Sequence, residues 1–529
     1  MAATAVMAAT ATASRAKAVQ SDAKRSARRR RAFGAMAAAV AALFLPATPA
    51  SAQRWNLETG VTVRGTASSN PDLAPDGQEE PDVWLDISPW FSLIGTGQGG
   101  RLRVSGSGDL GASLRLSLRE GDDFSLRPSA NINASLEAID NFFFVDARAI
   151  VASTLDNPFA ATTDPFSPVN TSTSYQLGLT PYIRGTLFSR FDYEVRSDNS
   201  WTDSPNWEGQ YSATHTAVIS RAPQPLGGAF SFERQVLDSR IEDQGQLVTD
   251  TARFSLRYAL TSSFVVGARI GAERYNYTLR ADDWQRFYGA EASWRPNERT
   301  TLEGYWEDRV FGNSWQAAFT YRRPRMAFNI TSSRLLSSTP QQFLVFPGLS
   351  NLISLLDSAF TTRIPDPIER QRAIIDFLSR TQLPSELLTP TFIYSQNFTI
   401  QENNNASVVF YGPRDSLGFS VFGTTTEDTA AISPELPATS KIRQRGTSVT
   451  YGRQMTPITS LTATTSWRYT EDLLATGPET TQTQLWLELS RRLGARTDGT
   501  VGVRYQWVDS TVTNDATEFA LYFTLNHRF

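Results

Sequence analysis

The sequence predicts an all-β fold: a transmembrane up-and-down antiparallel β-barrel of about 18–22 strands with a small helical insertion. Three observations lead there. Apolar and polar residues alternate over unusually long runs. Short turn signals recur at intervals that fit pairs of strands. An export leader opens the chain, yet no stretch of about 18 apolar residues follows it, so any crossing of a membrane falls to strands.

The leader occupies residues 1–52. The basic run Arg28–Arg31 precedes the apolar segment "FGAMAAAVAALFL", then Pro46 and the small-residue site Ala50-Ser51-Ala52. That order is a secretory signal peptide, with cleavage expected before Gln53. The 27 residues ahead of Arg28 make a long leader, so the true start codon is open. The leader holds eight of the 50 Lys and Arg and one of the 53 Asp and Glu, leaving 42 basic against 52 acidic side chains. An acidic exported chain is a poor nucleic-acid binder. Lys441 is the one lysine beyond the leader, so arginine carries nearly all the positive charge. Codon bias and an Arg-lined pore both fit that. The absence of Cys rules out disulfides and a lipidated N-terminal cysteine.

From residue 53 to 529 the expected unit is the barrel. In "FDYEVR", Phe191, Tyr193 and Val195 oppose Asp192, Glu194 and Arg196. In "FVVGARIGAE", Phe264, Val266, Ala268 and Ile270 oppose Arg269 and Glu273. In "VGVRYQW", Val501, Val503, Tyr505 and Trp507 oppose Arg504. Successive strand side chains point to opposite faces. Each run therefore has one face for hydrocarbon and one for water. Asp192, Glu194, Arg196, Arg269, Glu273, Arg468 and Arg504 are the candidate lumen-lining residues, and their mixed signs predict no clear ion preference.

Tight turns are expected near Gly185, Pro223, Ser262, Asn297, Pro324, Pro413, Thr456 and Ala495, with "TEDLLATGPETTQTQ" (470–484) as a longer connection. Short turns alternating with longer loops suit an up-and-down barrel. A propeller has similar spacing, but its repeats resemble one another and these do not.

Between the later strands sits one helical island, "PDPIERQRAIIDFLSRTQL". Asp366 suits the N-cap, Pro367 the first turn, and Glu369 completes a capping-box-like pair. Ile368, Ile374, Ile375 and Leu378 share one face and form a candidate docking or plug surface. Asp376 and Arg380 form an i,i+4 pair on another face. Leu352, Leu355, Leu356 and Ala359 suggest a shorter helix upstream, giving an insertion over 350–388. If "QQFLVF" returns as a strand and "ENNN" (402–405) turns, the island falls on the periplasmic side or in the lumen. If "QQFLVF" is not a strand, it is extracellular.

The final strand, "FALYFTLNHRF", places Phe519, Leu521, Phe523, Leu525, His527 and Phe529 on one face. It resembles the C-terminal signal of bacterial outer-membrane proteins read by the barrel-assembly machinery, with His527 where an aromatic usually stands.

Catalysis is not expected. His215 and His527 are the only histidines, and no HExxH, P-loop or GxSxG motif occurs. A Ser–His site on a barrel needs a histidine on the outer face beside a serine; His215, mid-strand in "QYSATHTAVIS", reads as structural. The acidic stretch "DLAPDGQEEPD" (72–82) reads as a solvated loop rather than a Ca²⁺ site. No catalytic, metal or cofactor residue is assigned.

Two stretches carry a family resemblance. "SSNPDLAP" leading into "DVWLDISPWFSLIGTGQGGRLRVSG" resembles the N-terminal region of outer-membrane proteins associated with PEP-CTERM/exosortase systems. "PDPIERQRAIIDFLSRTQLPSEL" resembles that family's central segment, and the likeness would span Trp55–Phe529. It implies a bacterial outer-membrane barrel found beside exopolysaccharide biosynthesis and protein sorting, and it carries no catalytic residues across. The expected function is an envelope channel or component linked to exopolysaccharide export in a Gram-negative outer membrane. The alternatives are a general porin or solute channel, or a non-conducting surface protein that binds glycan. The expected partners are outer-membrane lipid, the barrel-assembly machinery, and a polysaccharide or periplasmic export partner.

Overall fold

The computed structural model describes residues 54–529 except 116–123, 162–169, 206, 239–245, 277–282, most of 339–396, 429–440, 475–476 and 514. The leader lies outside the described residues, as do Ile368, Ile375, Leu378, Asp366, Asp376, Arg380 and "QQFLVF".

The chain is built from strands. They are β1 (Arg54–Ser68), β2 (Asp82–Thr96), β3 (Leu102–Arg115), β4 (Phe124–Ile139), β5 (Phe143–Leu155), β6 (Thr171–Leu187), β7 (Phe191–Ser204) and β8 (Trp207–Arg221). Next come β9 (Leu226–Asp238), β10 (Leu247–Ala259), β11 (Phe264–Tyr275), β12 (Gln285–Asn297), β13 (Thr300–Arg309), β14 (Gly312–Arg323) and β15 (Met326–Ser337). The last are β16 (Thr399–Tyr411), β17 (Asp415–Asp428), β18 (Lys441–Thr456), β19 (Thr459–Asp472), β20 (Glu479–Arg492), β21 (Thr497–Ser510) and β22 (Ala516–Arg528). Each strand pairs antiparallel with its sequence neighbours, and β1 pairs with β22 from Gly60↔Arg528 to Ser68↔Ala520. The result is a closed 22-stranded barrel. Closure removes the free edges on which a sheet of this length would otherwise aggregate.

The two-residue period decides which side chain goes where. On β22, Phe519, Leu521 and Phe523 stand exposed on the outer face, while Glu518, Ala520 and Tyr522 are buried inside. The same division runs around the barrel, with Leu485, Leu487 and Leu489 outside on β20 and Phe254, Leu256 and Tyr258 outside on β10. Exposed aromatics gather toward both ends of this outer band. Tyr258, Trp294 and Phe410 lie toward one end, and Tyr288, Trp306, Trp467, Tyr505 and Trp507 toward the other. Strands run from 10 residues in β13 to 17 in β6, so most outreach the ~9–11 residues that cross a bilayer at a tilt.

The two ends of the barrel differ. At the turn end every connection has five residues or fewer, from 97–101 to 298–299, and the first strand begins and the last ends there. At the loop end lie 69–81, 156–170, 429–440 and the long insertion 338–398, beside the tight connections 205–206 and 310–311. The signals at Pro223, Ser262, Asn297, Pro324, Pro413, Thr456 and Ala495 mark turn-end connections. The one near Gly185 is displaced to 188–190, because β6 runs on to Leu187. In "TEDLLATGPETTQTQ" the connection is only 473–478, and the threonines continue β20. Threonine is β-branched and suits a strand as well as a loop.

The insertion's expected path needs correction. "ENNN" does not turn. Residues 402–405 lie within β16, whose register with β15 runs unbroken from Met326↔Phe410 to Ser337↔Thr399. Asn403 faces the cavity described below and Asn404 accepts a 2.7 Å hydrogen bond from Ser332 outside. Asparagine is tolerated there because the inner face is polar. The insertion therefore leaves and re-enters the sheet at the loop end, not the turn end. Within it, residues 356–357, 360, 369–370 and 373–374 are helical, consistent with two helical pieces.

Loop-end segments fold onto the barrel. Leu73 and Ala161 pack with Val508 and Ala516. Asn70 holds the first loop by accepting from the Ala74 amide at 2.8 Å and donating to the Thr517 carbonyl at 3.1 Å. Thr480 donates to the Phe159 carbonyl at 2.5 Å. The acidic stretch 72–82 belongs to this layer. Asp72 meets Arg115 at 2.8 Å and Glu79 accepts from the Gly77 amide.

Candidate functional site

Every second residue of the strands points to the inner face, and three regions of it gather described inward charges. On β10–β13 they are paired with one another. Arg253 meets Glu307 at 2.6 Å and Arg269 meets the same carboxylate at 3.0 Å. Arg257 meets Glu291 at 2.5 Å, and Arg309 grips Glu273, which also accepts the Val310 amide at 2.9 Å. Glu273 and Glu307 are fully buried. Above this network an apolar cluster of Leu237, Tyr275, Phe311, Leu336, Phe398 and Ile400 closes the loop end. Strands β9 to β16 thus curl until residues far apart in the sheet order touch. Ser212 on β8 lies 3.2 Å from Ser338, and Gln210 donates to the Ser395 carbonyl at 3.3 Å. Both roots of the insertion are pinned to β8.

A second packed region lines β20–β22 and β1. Arg504 makes a forked pair with Glu518, at 2.7 and 3.1 Å, and neither side chain is exposed. Ser68 donates to the same carboxylate at 2.5 Å. Tyr522 donates to Glu488 at 2.7 Å, with Arg64 stacked 4.1 Å from its ring centroid. Gly502 makes room for this ring: a Cβ there would meet Tyr522 at 2.3 Å.

Between the two regions lies a cavity of 850 Å³. It runs from the turn-end feet of β2 and β3, at Ile94 and Arg103, to the loop-end tops of β15 and β16, at Ser337 and Gln401. Among the described residues none of its lining comes from β10–β13. Among the described residues the charged lining is Arg103, Asp146, Arg148, Arg196, Asp198 and Glu233, three of each sign. Arg196 is bonded to Glu194 at 2.9 Å and lies 3.7 Å from Asp198. Beside it Arg184, Phe144, Tyr182 and Arg196 stack in a column: Arg184 lies 4.3 Å from the Phe144 centroid, the two rings are 5.0 Å apart, and Arg196 lies 4.5 Å from Tyr182.

The insertion occupies part of the interior. Phe360 packs edge-on against Tyr411, 6.1 Å between centroids, and Tyr411 is the turn-end residue of β16. A segment rooted at the loop end therefore reaches the other end of its own strand. Leu356 and Ile374 are fully buried, and Arg370 bridges Asp357 at 2.6 Å, tying the two helical pieces together.

The structure places the sequence-derived residues in different regions. Arg196 lines the cavity, and Asp192 and Glu194 stand on the same strand face toward the turn end. Arg269 and Glu273 belong to the β10–β13 network and Arg504 to the β20–β22 pair. Arg468 faces in from β19, opposite Gly446 and Gln482. The alternation that selected these residues also marks Asp146 and Arg148 on β5. It does not say which strands curl together, so it does not separate cavity walls from sealed ones. His215 stands on the outer face, its Nδ1 sharing a 2.9 Å hydrogen bond with Ser197 Oγ.

No family model matches this chain, and no curated protein does. Solved structures align over most of its length. Acinetobacter baumannii OccAB4 is 10% identical over 90% of this chain and 98% of its own, with a TM-score of 0.32. The siderophore receptor PirA from Pseudomonas aeruginosa is 10% identical over 91% and 81%, with a TM-score of 0.36. A BenF-like porin from Pseudomonas fluorescens Pf-5 is 8% identical over 90% and 99%, with a TM-score of 0.34.

Proposed function

We propose that this chain is an outer-membrane barrel of the porin type that passes small polar solutes, rather than an exopolysaccharide conduit. The observation that carries this reading is the cavity, with six charged side chains in its described lining, inside a closed barrel whose outer face is apolar between two aromatic belts. The turn end, holding both ends of the described chain, faces the periplasm, and the loop end faces the exterior. Equal numbers of Arg and carboxylate in the described lining favour neutral or zwitterionic solutes over a simple ion. The volume of 850 Å³, shared with an insertion that crosses the interior, suits a small molecule better than a polymer. The exopolysaccharide and protein-sorting association implied by the sequence resemblance finds no support in any cavity residue. Purified protein in planar bilayers should give discrete conductance steps. A heat-modifiable barrel that inserts without conducting would overturn the channel and favour a binding protein. Arg196→Ala should raise the conductance and shift the reversal potential toward cation preference, because it removes a positive charge and a bulky side chain from the wall.

A further inference from the structure

The outer face carries a polar notch on β7 and β8 where hydrocarbon is expected. Ser197 and Asn199 on β7 and His215 on β8 all point outward, in the rows between Val195 and Trp201. Asn199 donates to Ser197 Oγ at 3.0 Å, and Tyr211 donates to Asn199 Oδ1 at 2.9 Å. His215 spends Nδ1 on Ser197, and among the described residues Nε2 has no hydrogen-bond partner. The ring is exposed and lies four residues, about 13 Å along the strand, below Tyr211 at the loop-end belt. Beside it opens a groove of 350 Å³ walled by Phe143, Pro181, Ile183, Val195, Ala217 and Phe232. In register with His215 on β9 stands Arg234, also outward and 46% exposed. Its described acidic neighbour, Asp250, lies 3.8 Å away through one carboxylate oxygen and is held at 2.9 Å by Arg274 through the other.

A polar group facing hydrocarbon is costly unless it is paired. The apolar groove, the open imidazole nitrogen and the loosely held guanidinium follow the order of a bilayer lipid: chain, ester or hydroxyl, phosphate. We infer that this notch binds one phosphate-bearing lipid of the loop-side leaflet, with an acyl chain in the groove, a polar linkage at His215 and the phosphate at Arg234. The inference rests on the proposed membrane placement of the outer face. The site is not set for acyl hydrolysis. His215 turns Nδ1 to the serine, and no carboxylate among the described residues orients its ring.

The test is native mass spectrometry of the full barrel in detergent, titrated with phosphatidylglycerol or with diacylglycerol of the same chains. The wild type should retain one phosphatidylglycerol, His215→Leu and Arg234→Gln should each lose it by about tenfold, and diacylglycerol should bind weakly and equally to wild type and Arg234→Gln. Folding of each variant is checked by heat-modifiable migration. Equal phosphatidylglycerol retention by folded wild type and both variants would overturn the site, as would diacylglycerol binding as tight as phosphatidylglycerol. Release of free fatty acid would replace the binding role with a hydrolytic one. A wild-type chain that stays soluble and lipid-free would instead overturn the membrane reading.

Discussion

Arg504 heads the largest side chains that the barrel encloses completely, and its partner Glu518 is equally hidden. Removing one member strands the other in a water-poor wall, at a cost of about 3–5 kcal/mol, whereas replacing both with apolar residues of similar size is often neutral. Arg504→Met should lower the thermal midpoint of the detergent-solubilised barrel sharply, and Arg504→Met/Glu518→Met should recover most of the loss. At this scale the sequence was half legible. Alternation identified Arg504 as inward-facing, because its neighbours Val503 and Tyr505 are apolar. Whether an inward arginine lines a cavity, as Arg196 does beside Glu194 of its own strand, or is sealed within the wall, as Arg504 is, depends on partners from other strands. Ser197 and His215 were legible only as residues; their bond needs the β7–β8 register.

The insertion is the element whose path the sequence left open. "ENNN" suggested a turn because asparagine favours turns, and the twelve paired residues of β15 and β16 override that preference. The same register predicts that the insertion is dispensable for the sheet. Replacing 340–396 with a short Gly/Ser linker should leave a heat-modifiable barrel and raise single-channel conductance, since Phe360 no longer reaches Tyr411. Loss of the folded barrel would show that the helical pieces hold the wall instead. Most short turns were readable because Pro, Gly and Asn punctuate them. The loop at 470–484 was overdrawn because Thr and Glu are as much at home on a sheet's polar face as in a connection.

For the whole molecule, the difference between the two ends makes a prediction about orientation. The chain contains no cysteine, so a single introduced thiol reports its own location. A cysteine at Gly77, in the exposed loop-end segment, should react with a membrane-impermeant maleimide on intact cells. One at Ser262, in a turn-end connection, should react only after the membrane is opened. The reverse pattern would invert the barrel. Fold class and approximate strand number were readable because they depend on a local period repeated many times. The division of the lumen was not, because it arises from the curl of β9–β16, a property of the sheet as a whole.

The seam between β1 and β22 has a kinetic consequence. The Phe529 amide bonds to the Thr59 carbonyl at 2.9 Å, so the final residue of the chain helps fasten its first strand. Joining segments more than 450 residues apart carries a chain-length term of about 5 kcal/mol in loop-closure entropy if nothing between them is ordered. Forming the intervening hairpins one after another shortens the effective loop and spreads that entropy over many local steps. The last zip then brings together two edges of an almost finished sheet. Folding is therefore expected to end at the β1–β22 seam: a product lacking β22 would keep 21 strands in register and still expose two open edges.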